Sequence, residues 1–281
     1  MIRTSRQLKA LVRNMTKGNS TQAQIIIRNY VMERFLERMS LSKYRNNFIL
    51  KGGMLVAAMV GVDMRSTLDI DTTIKNMPLS PETAKEMVEE IISIPLDDGM
   101  TFLITGVSEI MDEAEYSGIR VLLDTKLETI RTPLKIDIST GDIITPGEVA
   151  YSFELMFEER TISILAYNLE TVLAEKMETV LSRSTLNTRL RDYYDLYILQ
   201  NEYPHAIDIG QFGEAILATS ERRNTRQLML DGTRILQEIL ESQDMQSMWG
   251  KYQMKYPYSK DISWEMVMEA ISSLYGEIKF K

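Results

Sequence analysis

The sequence predicts an α+β protein, a mixed sheet with flanking helices followed by a helical C-terminal domain. Two observations predict it. Strand-like runs recur up to about residue 165, and after Tyr167 every periodic segment repeats at helical spacing. Residues 48–74, FILKGGMLVAAMVGVDMRSTLDIDTTI, read as strand, Gly-Gly break, short helix, loop and strand. The expected division is 1–167, with basic N-terminal helices, and 168–281.

The elements follow in order. Residues 4–15 predict a helix with Leu8, Leu11, Val12 and Met15 on its apolar stripe. Arg6, Lys9, Arg13 and Lys17 fall at steps of three and four and form a basic face. Ser20 or Thr21 is positioned to cap a second helix reaching about Met39. Ser80-Pro81-Glu82 starts another, which should stop near Asp97-Asp98-Gly99. Strand-like runs cover 101–110, 119–131 and 133–140, with shorter ones near 151–157 and 161–165. Asn168 caps NLETVLAEKMETVLSR, and RLRDYYDLYILQNE follows. Helices at about 207–220, 224–241, 243–254 and 263–278 complete the chain, whose Met- and Tyr-rich end reads as packing material.

Composition narrows the function classes. With 281 residues, 44% of them hydrophobic, the chain can bury a sizeable core. No apolar run approaches the roughly 20 residues of a membrane span. The start MIRTSRQLKALVRN lacks a secretory apolar core, so the cytoplasm is the expected compartment, without membrane contact. Cysteine is absent and His205 is the one histidine, which excludes disulfides, thiolate metal sites and His clusters. The net charge of −8 is uneven: residues 1–51 hold eleven Lys/Arg against Glu33 and Glu37, a net +9, leaving −17 for the rest. Such a segment either attracts a polyanion or is a solvated face salt-bridged to the acidic body.

The chemistry centres on 48–74. Strand alternation puts Asp69 and Asp71 on one face and Leu68 and Ile70 in the opposite, apolar layer. Two carboxylates so placed repel unless a cation neutralises them, and Mg²⁺ favours such oxygen ligands beside substrate phosphates. Gly52 and Gly53 allow the backbone close to a phosphate at the start of the next helix. In the strictly alternating Leu134–Ser139 run, Asp137 faces away from Ile136 and Ile138 and is a third candidate carboxylate. Lys176 lies beside a core face and requires a partner or a path to solvent. Asp192 and Asp195 share a helix face; they either pair with Lys176, Arg183 or Arg191 or hold the base or sugar of a nucleotide.

The ordered set KGG…R-S-x-x-D-I-D, K-I-D-I, LAEKMETVLSR…RLRDYYDLYIL resembles the AbiEii/AbiGii-type nucleotidyltransferase toxins over about residues 48–200. The resemblance implies a polymerase-β-like nucleotidyltransferase fold. It also implies nucleotide binding by Lys51, Gly52, Gly53, Arg65 and Ser66. Asp69 and Asp71 match the metal-binding pair and Asp137 the third carboxylate. Lys176 matches the lysine that touches nucleotide phosphates, and Asp192 and Asp195 match the last acidic pair. Many relatives carry Gly-Ser where this chain has Gly52-Gly53, so a hydroxyl contact to phosphate is lost. Two Mg²⁺ ions (Mn²⁺ is the alternative) would then clamp a nucleoside triphosphate about 3.5–4 Å apart. An RNA or tRNA end is the implied acceptor and a cognate antitoxin the implied partner, within abortive infection and antiviral defence. Modification of a small molecule or protein, or nucleotide or partner binding without catalysis, are the competing readings.

Overall fold

The computed structural model of the chain describes residues 1–110 and 118–280. They form two compact units: residues 1–142 with 149–166, and residues 143–148 with 167–281.

The first unit opens with α1 (Ser5–Thr16) and α2 (Ser20–Leu41). Thr4 and Gln7 close a capping box on α1, and Asn19, rather than Ser20 or Thr21, caps α2. Leu8 and Val12 are buried, whereas Leu11 and Met15 are exposed, so the apolar stripe of α1 is narrower than expected. β1 (Phe48–Lys51), α3 (Gly52–Val60), β2 (Ile70–Ile74) and α4 (Pro81–Ile92) follow. The Ser80 box starts α4 as expected, but the helix ends at Ile92, several residues before Asp97.

The remaining strands are β3 (Thr101–Ile110), β4 (Gly118–Leu127), β5 (Ile130–Thr140), β6 (Val149–Glu154) and β7 (Thr161–Ala166). The β4–β5 turn lies at Glu128-Thr129, not near residue 132, and Glu128 takes a left-handed φ of 49° there. Pro133 therefore sits inside β5. This is tolerated because β5 meets β2 only from Ile136 onward, so no partner on that side needs the missing N–H.

One sheet runs β3-β4-β5-β2-β1-β7-β6. β2 pairs parallel with β5 and β1 parallel with β7, while the other pairs are antiparallel, which gives the mixed sheet. α2 packs on β5, β7 and α4, and α3 packs on β1 and β2. The second half of α2 is buried despite its charges. Arg34 pairs with Glu37 at 2.8 Å and Glu158 at 3.3 Å, and Arg160 pairs with Glu37 at 2.6 Å. Arg38 grips both oxygens of Asp98 at 2.7 and 2.9 Å. Several cations of the basic segment thus balance acids inside the unit.

The second unit is helical apart from its first segment. Asn168 Nδ2 donates to the carbonyls of Thr145 and Gly147 at 2.8 and 2.9 Å, which anchors residues 143–148 to α5 (Leu169–Arg183). α6 (Leu190–Glu202) and α7 (Ile209–Arg222) pack on α5. α8 (Arg226–Leu230) and α9 (Gly232–Glu241) replace the single expected helix over 224–241, with the break at Asp231. α10 (Gln243–Lys255) and α11 (Trp264–Gly276) close the chain. Trp249, Tyr252, Trp264, Met245 and Met268 are buried, as a packing role requires. Among the described residues no helix is long and apolar enough to cross a membrane.

Candidate active site

The sheet register brings three acids of the first unit together. Asp71 on β2 lies opposite Asp137 on β5 and opposite Lys51 on β1. Asp69 sits just ahead of β2, where Thr67 Oγ1 donates to its Oδ1 at 3.1 Å. Ile70 is fully buried beneath them, but Leu68 is exposed. It precedes the first paired residue of β2, so strand alternation does not reach it.

The three carboxylates are half-buried and already answered by cations. Lys135 Nζ lies 2.7 Å from Asp69 Oδ2 and 3.5 Å from Asp137 Oδ2. Arg120, the β4 neighbour of Asp137, binds it with Nε and Nη2 at 2.8 and 2.9 Å. Burial and the charges of Asp69 and Asp137 push the Asp71 carboxyl up to about 6, against opposing pulls from Lys51 and Lys135. Burial works against the Lys135 ammonium, but the hydrogen bond to Asp69 and the two acidic charges hold its pKa above the ordinary lysine value.

Gly52 and Gly53 open α3 beside this face. Gly52 takes a left-handed φ of 65°, and a Cβ there would run into the Asp71 carboxylate. A Cβ at Gly53 would meet Thr67 Oγ1 at 2.8 Å and Arg65 Nη2 at 3.3 Å. Both glycines are thus needed for the acids and the start of α3 to be neighbours. Arg65 and Ser66 are buried, and Arg65 Nη1 donates to the Ser66 carbonyl. Lys51 reaches Asp142 Oδ2 at 2.6 Å, which also accepts from Ser139 Oγ at 2.8 Å.

The donor chemistry of the face fits a hard divalent cation. Asp71 stays raised even with two lysines in range, by burial first and then by its two acidic neighbours. Yet no group of three His, Cys, Asp or Glu side chains among the described residues is arranged as a metal cage. Lys135 and Arg120 engage oxygens of Asp69 and Asp137 that ligation would use. These two cations escaped the sequence reading. Lys135 was visible, because it stands two residues before Asp137 in an alternating strand and so shares its face; Arg120 needed the register.

In the second unit, Lys176 Nζ lies 2.6 Å from Asp195 Oδ2 and 3.3 Å from Asp192 Oδ1, with all three residues buried. Arg189 Nε meets Asp192 Oδ2 at 2.9 Å. Of the alternatives for this acidic pair, ion pairing with Lys176 is realised; neither Arg183 nor Arg191 makes an ion pair among the described residues.

The family model for the nucleotidyl transferase AbiEii toxin of type IV toxin–antitoxin systems matches residues 34–270. JHP933 from Helicobacter pylori superposes with a TM-score of 0.54 at 13% identity, covering 90% of each chain. A second H. pylori structure, carrying a nucleotidyltransferase designation, gives 0.53 at 13% identity and covers 90% of this chain and 93% of its own. At that identity the likeness establishes the shared fold alone. No match is found among curated proteins. The chain belongs to the AbiEii nucleotidyltransferase toxin family.

Proposed function

We propose that this AbiEii-family member transfers a nucleoside monophosphate from a nucleoside triphosphate to a hydroxyl of RNA, tRNA foremost, and that a cognate antitoxin restrains it. The observation that carries this reading is the meeting of Asp69, Asp71 and Asp137 beside Gly52-Gly53. A triphosphate brings anionic oxygens, and the amides at the start of α3, which the Lys51 side chain does not cap, favour them. Lys51, Arg65 and Ser66 frame that start, Lys51 through its tie to Asp142.

Asp69 and Asp71 would hold a divalent cation, Mg²⁺ with Mn²⁺ as the alternative, and Asp137 would share it. When bound, the ion supplies charge neutralisation at the phosphate under attack. Asp137, fixed by Arg120, is positioned to take the proton of the acceptor hydroxyl. The acceptor oxygen bonds to the α-phosphorus, the bond to the β-phosphate breaks, and pyrophosphate leaves with the electron pair. The phosphate contact assigned to Lys176 belongs to the same proposal. A phosphate there would compete with Asp192 and Asp195 for the ammonium.

The test incubates the protein with each α-labelled triphosphate and total RNA, with Mg²⁺ and with chelator. Label in RNA that depends on Mg²⁺ is expected. Label only in small molecules or protein, or none with any triphosphate, overturns the reading.

A further inference from the structure

The basic segment separates into paired and unpaired cations, Arg28 and Arg45 belonging with the unpaired ones among the described residues. Arg3, Arg34, Arg38, Lys43 and Lys51 are in ion pairs with acids of the first unit. Among the described residues Arg6, Lys9, Arg13 and Lys17 make no ion pair, and all four are exposed. Lys9 Nζ donates to Thr129 Oγ1 at 3.2 Å and feels Glu128. Steps of three and four place Arg6, Lys9 and Arg13 within one narrow stripe of α1, opposite the exposed Leu11 and Met15, and Lys17 follows as its left-handed C-cap.

Beside the stripe lies a groove of about 390 Å³ between α1 and α2. Lys9 and Arg13 form its rim, and Val12, Ala23 and Ile27 are apolar lining; neither an acid nor an aromatic residue lines it. The stripe also leads somewhere. The α1 start is tied to the β4–β5 turn, where Ser5 N and Oγ donate to Glu128 at 2.9 and 2.8 Å. The α1–α2 corner is tied to the loop entering β2, where Gln22 donates to Asp63 at 3.2 Å. Asp137 lies seven residues along β5 from that turn, roughly 24 Å at strand rise.

We infer that the exposed stripe of α1 is an RNA-backbone docking surface that holds the acceptor while its reacting end lies at the carboxylate face. This rests on the proposed transfer to RNA. A helix of twelve residues is about 18 Å long, enough to follow several phosphates of one strand. Charge complementarity singles out this helix. The chain outside residues 1–51 carries −17 and repels a polyanion, so attraction concentrates where cations lack acidic partners. The stripe has no apolar residue interleaved, which suits phosphates better than a protein helix needing an apolar seam. With no aromatic side chain in the groove, bases are not stacked there, so binding is independent of sequence. α1 lies before residue 34, outside the span the family model matches.

The test measures binding of a fluorescent RNA hairpin with a single-stranded 3′ tail by anisotropy. It omits triphosphate and metal, so its outcome is separate from whether transfer occurs. The full chain is compared with an Arg6→Gln, Arg13→Gln, Lys17→Gln variant. A Lys251→Gln, Lys255→Gln, Lys260→Gln variant loses the same net charge from exposed positions of the second unit. The α1 variant is expected to bind about 10-fold or more weakly near physiological salt, with a log affinity versus log salt slope shallower by about 2–3. The other variant should track the parent. Equal losses in both variants, unchanged binding in the α1 variant, or a parent that holds polyglutamate but not RNA overturns the surface. The replaced side chains are exposed, so melting temperatures should match; a melting shift confined to the α1 variant is resolved with Arg6→Lys, Arg13→Lys, Lys17→Arg, which keeps the charge at the same three positions and must bind like the parent.

Discussion

The chain balances carboxylates against cations in two places, at different depths. At the face of Asp69, Asp71 and Asp137, the side chains of Lys135 and Arg120 remain 32% and 38% exposed. At the Lys176 cluster the lysine is 10% exposed and its partners Asp192 and Asp195 are 4% and 0%. Water and small ions reach the first set, so its pairing can be exchanged for a ligand at modest cost. The second set exchanges nothing without exposing a buried charge. The same residue types therefore make a partly solvated ion-pair face in one unit and a buried one in the other, so a phosphate reaching Lys176 meets the greater resistance.

The sharpest way to break this contrast is to remove the acids that the first face uses. Asp69→Asn with Asp71→Asn should lower nucleotidyl transfer by about 10³-fold or more, since the charge that would hold the cation is gone. Folding should survive. Neutralising Asp71 removes a carboxylate that burial and two like charges already disfavour, so melting should stay level or rise. Transfer measured beside a melting curve separates the two effects. A collapse of the fold, or transfer and growth inhibition that persist undiminished, would end the assignment of this face to catalysis.

The mirror experiment is Lys176→Met. It leaves Asp195 fully buried without its ammonium, and Asp192 with Arg189 as its cation. Breaking a buried pair from one side costs about 3–5 kcal/mol, so unfolding in urea should show a large loss of stability. Lys135→Met should cost far less, because Arg120 still neutralises Asp137 and solvent reaches Asp69. If the two lysine variants unfold alike, depth is not what separates the clusters.

These variants also mark how far the sequence could be read. The strands, the Ser80 and Asn168 caps and the three acids were legible because alternation and capping are local signals. Asp137 was placed correctly on a face by Leu134–Ser139 alone; that its neighbour is Asp71 required the parallel β2–β5 register, which no local pattern encodes. The turn at Glu128-Thr129 carries no Gly, Pro or Asn, so its position could not be read. α2 shows where composition stops. Salt bridges to the acidic body were one reading of the basic segment, and they form; that the Arg and Glu residues of α2 are buried against Glu158, Arg160 and Asp98, partners sixty or more positions away, required the fold. The charge surplus at the start of the chain is thereby reduced to the α1 stripe and a few other cations.

The smallest effect refines the comparison through pH. Asp71 has its carboxyl pushed up to about 6, against an ordinary value of 3.8, by burial first and then by Asp69 and Asp137. In the folded chain it therefore holds a proton that the unfolded chain releases between about pH 4 and 6. Stability linked to this group must fall as pH rises through that window and level off above it. Asp71→Asn removes the titration, so the melting temperature of the parent relative to the variant should decline between about pH 4 and 6.5. With chelator present, a loss on the order of 2 kcal/mol, or several degrees, is expected. Titrating groups remote from this face, Glu33 among them, contribute to both proteins and cancel in the difference, whereas Asp69 and Asp137 titrate together with Asp71. Parallel curves would mean that Lys51 and Lys135 offset both the burial of Asp71 and the repulsion of its two acidic neighbours.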